Sequence, residues 1–122
     1  MAKTPYFLVK SVSLSANGTG DISITTDANE TIYIYYCAFN STGNFEIFDW
    51  EDSRGNSYTN ATSSNALTSD LIPLQTAHIN HYITMPEPIV VEPASVMTIS
   101  VKDTSGSANT VTFFAVGIRE LK

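Results

Sequence analysis

The run Thr31-Ile32-Tyr33-Ile34-Tyr35-Tyr36-Cys37-Ala38-Phe39 decides the fold class of this chain. β-Branched and aromatic residues fill it, and such side chains suit a pleated, half-buried backbone. No charge, glycine or proline interrupts it, and Asn40-Ser41-Thr42-Gly43 closes it with turn residues. The run predicts a β-strand that is apolar on both sides. In strict alternation Ile32, Ile34, Tyr36 and Ala38 line one face, and Tyr33, Tyr35, Cys37 and Phe39 line the other. An antiparallel strand needs only one buried face. The second face therefore predicts a cover: a loop, a terminal segment or another subunit.

Working outward, the same period of two recurs and no helical period of useful length appears. Tyr6, Leu8, Val12 and Leu14 alternate with Ser11 and Ser13 in a first strand ended by Asn17-Gly18-Thr19-Gly20. Ile22 and Ile24 mark a second strand, closed by Asp27-Ala28-Asn29. A fourth runs from Asn44 to Glu51, and on strict alternation Phe48 and Trp50 lie opposite Phe45 and Ile47. A polar loop spans Ser53 to Ser69, with room for a short strand around Tyr58. Ala66 to Leu74 reads as a strand or a single helical turn. Ile79 to Met85 and Ile89 to Val91 are extended pieces on either side of Pro86-Glu87-Pro88. Val96 to Lys102 and Thr110 to Arg119 form a closing hairpin, and in its second arm Val111, Phe113 and Ala115 oppose Phe114, Val116 and Ile118.

Short strands at this spacing predict an all-β sandwich or barrel. The reading adopted is a jelly-roll-like β-sandwich of about eight antiparallel strands, a single domain over residues 1–122. The expected core is Leu8, Val12, Ile22, Ile24, Ile32, Ile34, Phe45, Ile47, Ile99, Val101, Val111 and Phe113. At 122 residues the chain has room for one such core without disulfides or metals.

Composition narrows the function. Twelve acidic residues against six basic ones leave a net charge of −6. Polyanion binding needs clustered cations that displace counterions, so neither nucleic acid nor an anionic membrane is an expected partner. Charged residues make up 15% of the chain, against about 25% in an ordinary domain. Ser, Thr and Asn, 38 in all, supply the surface polarity instead. That suits a β-rich surface, and it also suits one covered in an assembly, where bare charges would have to be desolvated. Cys37 is the only cysteine and sits in an apolar run, so an inert buried thiol is expected. The opening Met1-Ala2-Lys3-Thr4-Pro5 carries no long apolar run of the kind a secretion leader has.

The search for chemistry finds little. Asp103-Thr104-Ser105-Gly106 invites comparison with the Asp-Thr-Gly turn of aspartic proteases, but Ser105 stands at the first glycine position and Lys102 precedes the Asp. A hairpin loop is the expected reading. His78 and His81, three apart on a strand, point to opposite faces and cannot share one ion. Asp49, Glu51, Asp52 and Asn56 form the one acidic cluster, without the spacing of a calcium loop. No cofactor is expected, and the chain reads as non-enzymatic. Trp50 and Tyr58 could offer a flat platform to a sugar, although core packing is the commoner fate of a lone Trp.

From Met85-Pro86-Glu87-Pro88-Ile89-Val90-Val91-Glu92-Pro93 through the strand to Val101, Asp103-Thr104-Ser105-Gly106 and the aromatic-rich closing strand, the chain resembles small jelly-roll virion proteins of tailed bacteriophages, the capsid decoration or cement proteins. The resemblance covers about a third of the chain. It implies a jelly roll, often a homotrimer, sitting on the outer capsid surface of a virion assembled in the host cytoplasm. There it would bind the major capsid protein and stabilise contacts between its copies. The candidate interface residues are Tyr33, Tyr35, Phe39, Trp50, Tyr58 and Phe114. The rival reading is a carbohydrate- or receptor-binding β-sandwich of a tail or fibre tip, using the same aromatic residues.

Overall fold

Every long stretch of period-two sequence becomes a strand. The computed structural model describes residues 2–62, 64–72 and 82–122. In chain order the strands are β1 (Ala2–Leu14), β2 (Thr19–Thr25), β3 (Glu30–Ser41), β4 (Phe45–Glu51), β5 (Leu67–Thr68), β6 (Ile83–Val91), β7 (Val96–Asp103) and β8 (Asn109–Leu121). The ambiguous stretch after Ala66 contains both of its expected forms: the two-residue β5, then a single 3-10 turn at Ser69–Leu71. No strand forms at Tyr58; Ser57 makes only an isolated bridge with Glu51. The two extended pieces around Pro86-Glu87-Pro88 are one strand, β6. Residues 79–81, where the first piece was expected to begin, and both histidines lie outside the described residues.

The strands form two four-stranded sheets, β1-β8-β3-β6 and β2-β7-β4-β5. First pairs with last, second with seventh, third with sixth and fourth with fifth, all antiparallel. This is one long ribbon of paired strands wrapped on itself, and β8 against β3 and β7 against β4 close the wraps. Over the described residues the chain is a jelly-roll-like β-sandwich of eight antiparallel strands.

Two β-bulges, one in β3 and one in β4, reset the alternation of these strands. In β3, Ile34 pairs with Gly117 and Tyr36 with Val116, so Tyr35 is an extra residue with no partner. An inserted residue reverses the alternation beyond it. Ile32 and Ile34 face the core before the bulge, and Cys37 and Phe39 face it after. The strict two-face reading of this strand is therefore corrected. Tyr33, Tyr36 and Ala38 share the outer face, and Phe39 belongs to the core with 1% of its surface exposed. β4 repeats the device, with Phe48 as the extra residue between Ile47 and Asp49. Trp50 thereby joins Phe45 and Ile47 on the inner face at 7% exposure, rather than lying opposite them.

Gly117 permits the first bulge. A Cβ at this position would overlap the Tyr33 carbonyl oxygen on the neighbouring strand.

The core lies between the sheets. The expected residues of β2, β3, β4, β7 and β8 are buried, while Leu8 and Val12 on edge strand β1 are half-buried against them. Phe39, at its centre, meets Phe45, Trp50 and Phe113 with ring centroids 5.2–6.0 Å apart.

Candidate functional site

The site is built by register. β1 and β8 pair without a break from Ala2↔Leu121 to Leu14↔Asn109. Alternation then sends Leu8, Ala115 and Phe113 inward, and Phe7, Val9, Phe114, Val116 and Ile118 outward. β3 adds Tyr33 and Tyr36 to the outer face through their pairing with Ile118 and Val116. β6 adds Thr84, opposite Tyr36. Phe7 is 67% exposed and Val9 63%, with Tyr36 and Tyr82 also exposed. Phe7 stacks on Phe114 at 6.5 Å, and Tyr82 meets Phe114 from the other side at 6.4 Å. Between them lies a shallow hollow of about 410 Å³ lined by Phe7, Tyr36, Tyr82, Thr84, Phe114 and Val116.

Electrostatically this face is quiet. Among the described residues of its strands, Lys3 and Glu120 are the charges that register places on it, and they pair with each other at 3.6 Å. The Tyr33 hydroxyl donates to the same carboxylate at 3.4 Å. An apolar, open sheet face whose one ion pair is internally satisfied can exclude water from a partner.

The six residues nominated from sequence do not come together. Tyr33, Tyr35 and Phe114 lie on or beside the outer face of the first sheet. Phe39 and Trp50 are corrections: both are core residues, carried inward by the two bulges. The indole N–H of Trp50 is spent internally on the Met97 sulfur at 3.4 Å, and its ring packs edge-on against Phe39 and Phe113. Tyr58 is exposed but lies elsewhere, over a groove of about 680 Å³ whose walls include an edge of Trp50, Leu67, Ile83 and Met85. Desolvation and the Asp52 carboxylate raise the Tyr58 hydroxyl above its usual range. The residues missed from sequence are Phe7, Val9, Tyr36, Val116 and Tyr82. Part of the signal was present, since Tyr6-Phe7-Leu8-Val9 is apolar on both faces as β3 and β8 are.

The remaining candidate groups are engaged in structure. Asp103 is fully buried, and its carboxylate accepts five hydrogen bonds from neutral donors. They come from the Asn17, Ser105 and Gly106 amides, the Ser105 hydroxyl and the Asn109 side chain, at 2.5–3.0 Å. The Ser105 hydroxyl above all, outweighing desolvation together with the other donors, holds this carboxyl well below the usual carboxylate range. Asn109 carries the stitching onward, donating to the Gly43 and Asn44 carbonyls and accepting from the Gly43 amide. Asp103-Thr104-Ser105-Gly106 thus forms a hairpin loop that ties three turns together at one end of the sandwich.

In the acidic cluster, Asp49 accepts from the Trp50 amide and the Ser57 hydroxyl, and Asp52 from the amides of Arg54 and Asn56. Desolvation opposes ionisation of Asp52, but those amides prevail and keep its carboxyl below the usual range. No group of three metal-ligating side chains occurs among the described residues. Burial pushes the Cys37 thiol up to about 12, so its thiolate is scarce at neutral pH. Among known proteins, the chain matches no family model and no curated sequence.

Proposed function

We propose that this chain is a non-enzymatic virion structural protein, a capsid decoration or cement protein. In this reading it docks as a homo-oligomer, trimer preferred, on the outer surface of a tailed-bacteriophage capsid and stabilises contacts between major capsid proteins. The observation that carries the assembly role is the outer face of the β1-β8-β3-β6 sheet, where Phe7, Val9, Tyr36 and Tyr82 stand in solvent. Soluble monomers rarely expose contiguous apolar patches of this kind, and such patches mark protein-docking surfaces. The jelly-roll strand order and the resemblance from Met85 onward support the virion setting. The test is incubation of the purified chain with purified tailed-bacteriophage capsids, followed by pelleting of the shells. Stoichiometric recovery of the chain with shells supports the reading; a chain left in the supernatant at every salt concentration contradicts it.

A second reading, glycan binding, rests on the Tyr58 groove, where an exposed ring overlies apolar walls. A glycan array separates the two, because decoration requires no sugar. Specific glycan binding that Tyr58→Ala abolishes would favour the receptor-binding module.

A further inference from the structure

We infer that the outer face of the β1-β8-β3-β6 sheet closes against a second copy of this chain. The inference deepens the proposed assembly role and rests on it in taking this face as a protein-docking surface. Its size is the first argument. Four strands about 4.8 Å apart, rising about 3.3 Å per residue, give an outer face on the order of 600–800 Å². One partner contributes about 800 Å² to a standard interface, so a sheet-sized partner is the natural occupant.

Charge is the second argument. The chain carries −6 overall, yet this face is neutral because Lys3 and Glu120 cancel at 3.6 Å. Like copies would repel through most of this acidic surface, and here they can approach without desolvating an unpaired charge. A basic partner would gain nothing from a neutral face, and its attraction would lie with the acidic residues elsewhere.

Shape is the third. Phe7 and Val9 on β1 are the most exposed apolar residues of the face, and Phe7 also lines the shallow hollow it shares with Tyr36, Tyr82, Phe114 and Val116. One chain therefore carries both exposed apolar side chains and a shallow hollow lined by aromatic rings. A copy can receive what its neighbour offers.

The edges of the same sheet point association toward the face. β1 carries Lys3, Pro5 and Lys10, and β6 carries Pro86 and Pro88. Proline removes an edge donor and lysine resists burial, the devices that block strand-to-strand addition. Face-to-face contact is what they leave open.

Cross-linking tests this directly. The buried Cys37 is a poor competitor for thiol reagents, so a single new cysteine reports alone. Val9→Cys, treated with a short bismaleimide, should give cross-linked chains at least tenfold above Thr25→Cys, an exposed control on the opposite sheet. Adding Phe7→Asp should abolish that yield while far-UV circular dichroism stays unchanged, since Phe7 is largely in solvent. Equal yields from Val9→Cys and Thr25→Cys, or a yield that survives Phe7→Asp, would overturn the inference. No shell is present in this assay, so its failure is separate from a failure of the pelleting experiment.

Discussion

The two sheets share a core but not a surface. Their inner faces are built alike, from Ile, Val, Phe and Met. Outside, the β2-β7-β4-β5 sheet shows Asp21, Ser23, Thr98, Ser100, Lys102, Glu46 and Asp49, the polar alternation expected of a solvated face. The β1-β8-β3-β6 sheet shows Phe7, Val9, Phe114, Val116, Tyr33 and Tyr36 instead. The fold asks for neither pattern, since one buried face per sheet is enough to stabilise a sandwich. The difference teaches that the sandwich core alone does not account for the second apolar face, which is the surface the proposed docking role uses.

The sharpest way to break this comparison uses neighbours on β8. Phe113 is fully buried and Phe114 faces outward. Phe113→Ala should cost about 3–5 kcal/mol by cavity formation. Phe114→Ala should cost about 1 kcal/mol or less in the dilute monomer, as surface changes do. Urea unfolding at low concentration measures both, and equal losses would mean that the outer face is a second core.

Gly117→Ala tests the bulge that sets the faces. Its Cβ would drive into the Tyr33 backbone, and relieving the overlap should cost about 1–3 kcal/mol, the range for overpacking. Gly55, with open space around its Cβ position, is the contrast: Gly55→Ala should cost less, and only through its positive φ of 82°. If Gly117→Ala proves harmless, the register across the bulge is wrong, and with it the outward placing of Tyr36.

The loop end of the sandwich gives a pH prediction. The folded Asp103 carboxyl lies below its unfolded value. Its contribution is therefore complete above about pH 4, near the ordinary Asp range, and is lost as pH falls through the folded value. Asp103→Asn should lower stability at pH 7 and flatten the decline on acidification. A parallel decline in variant and parent would remove Asp103 as its source.

The smallest expected effect is on the polar sheet. EDTA should leave the melting temperature unchanged, because the Asp49 and Asp52 carboxylates are already occupied by amides and the Ser57 hydroxyl. A fall of several degrees would establish an ion there.

Period two made the fold legible. It placed the strands of the wrapped ribbon and predicted an inner face that the structure keeps from Ile22 to Phe113. What period two cannot carry is an inserted residue. Tyr35 and Phe48 look like ordinary members of their strands, and nothing local marks them as unpaired, because a bulge is defined by the partner strand. Strict alternation consequently puts Phe39 and Trp50 on the wrong side of their strands, when both are core residues, Phe39 at its centre and Trp50 toward its edge. The site was legible only in outline. The doubled apolarity of β3 and β8 pointed to a covered outer face, but its most exposed members, Phe7 and Val9, depend on knowing that β1 pairs with β8 from end to end.

Sedimentation equilibrium of the unmodified chain tests the docking role of that face most directly. The protomer mass is 13.3 kDa. The account predicts a mass that rises to a multiple of this value with concentration and persists in 1 M salt, where screening would dissolve a charge-driven contact. A mass of 13.3 kDa at every concentration would contradict it.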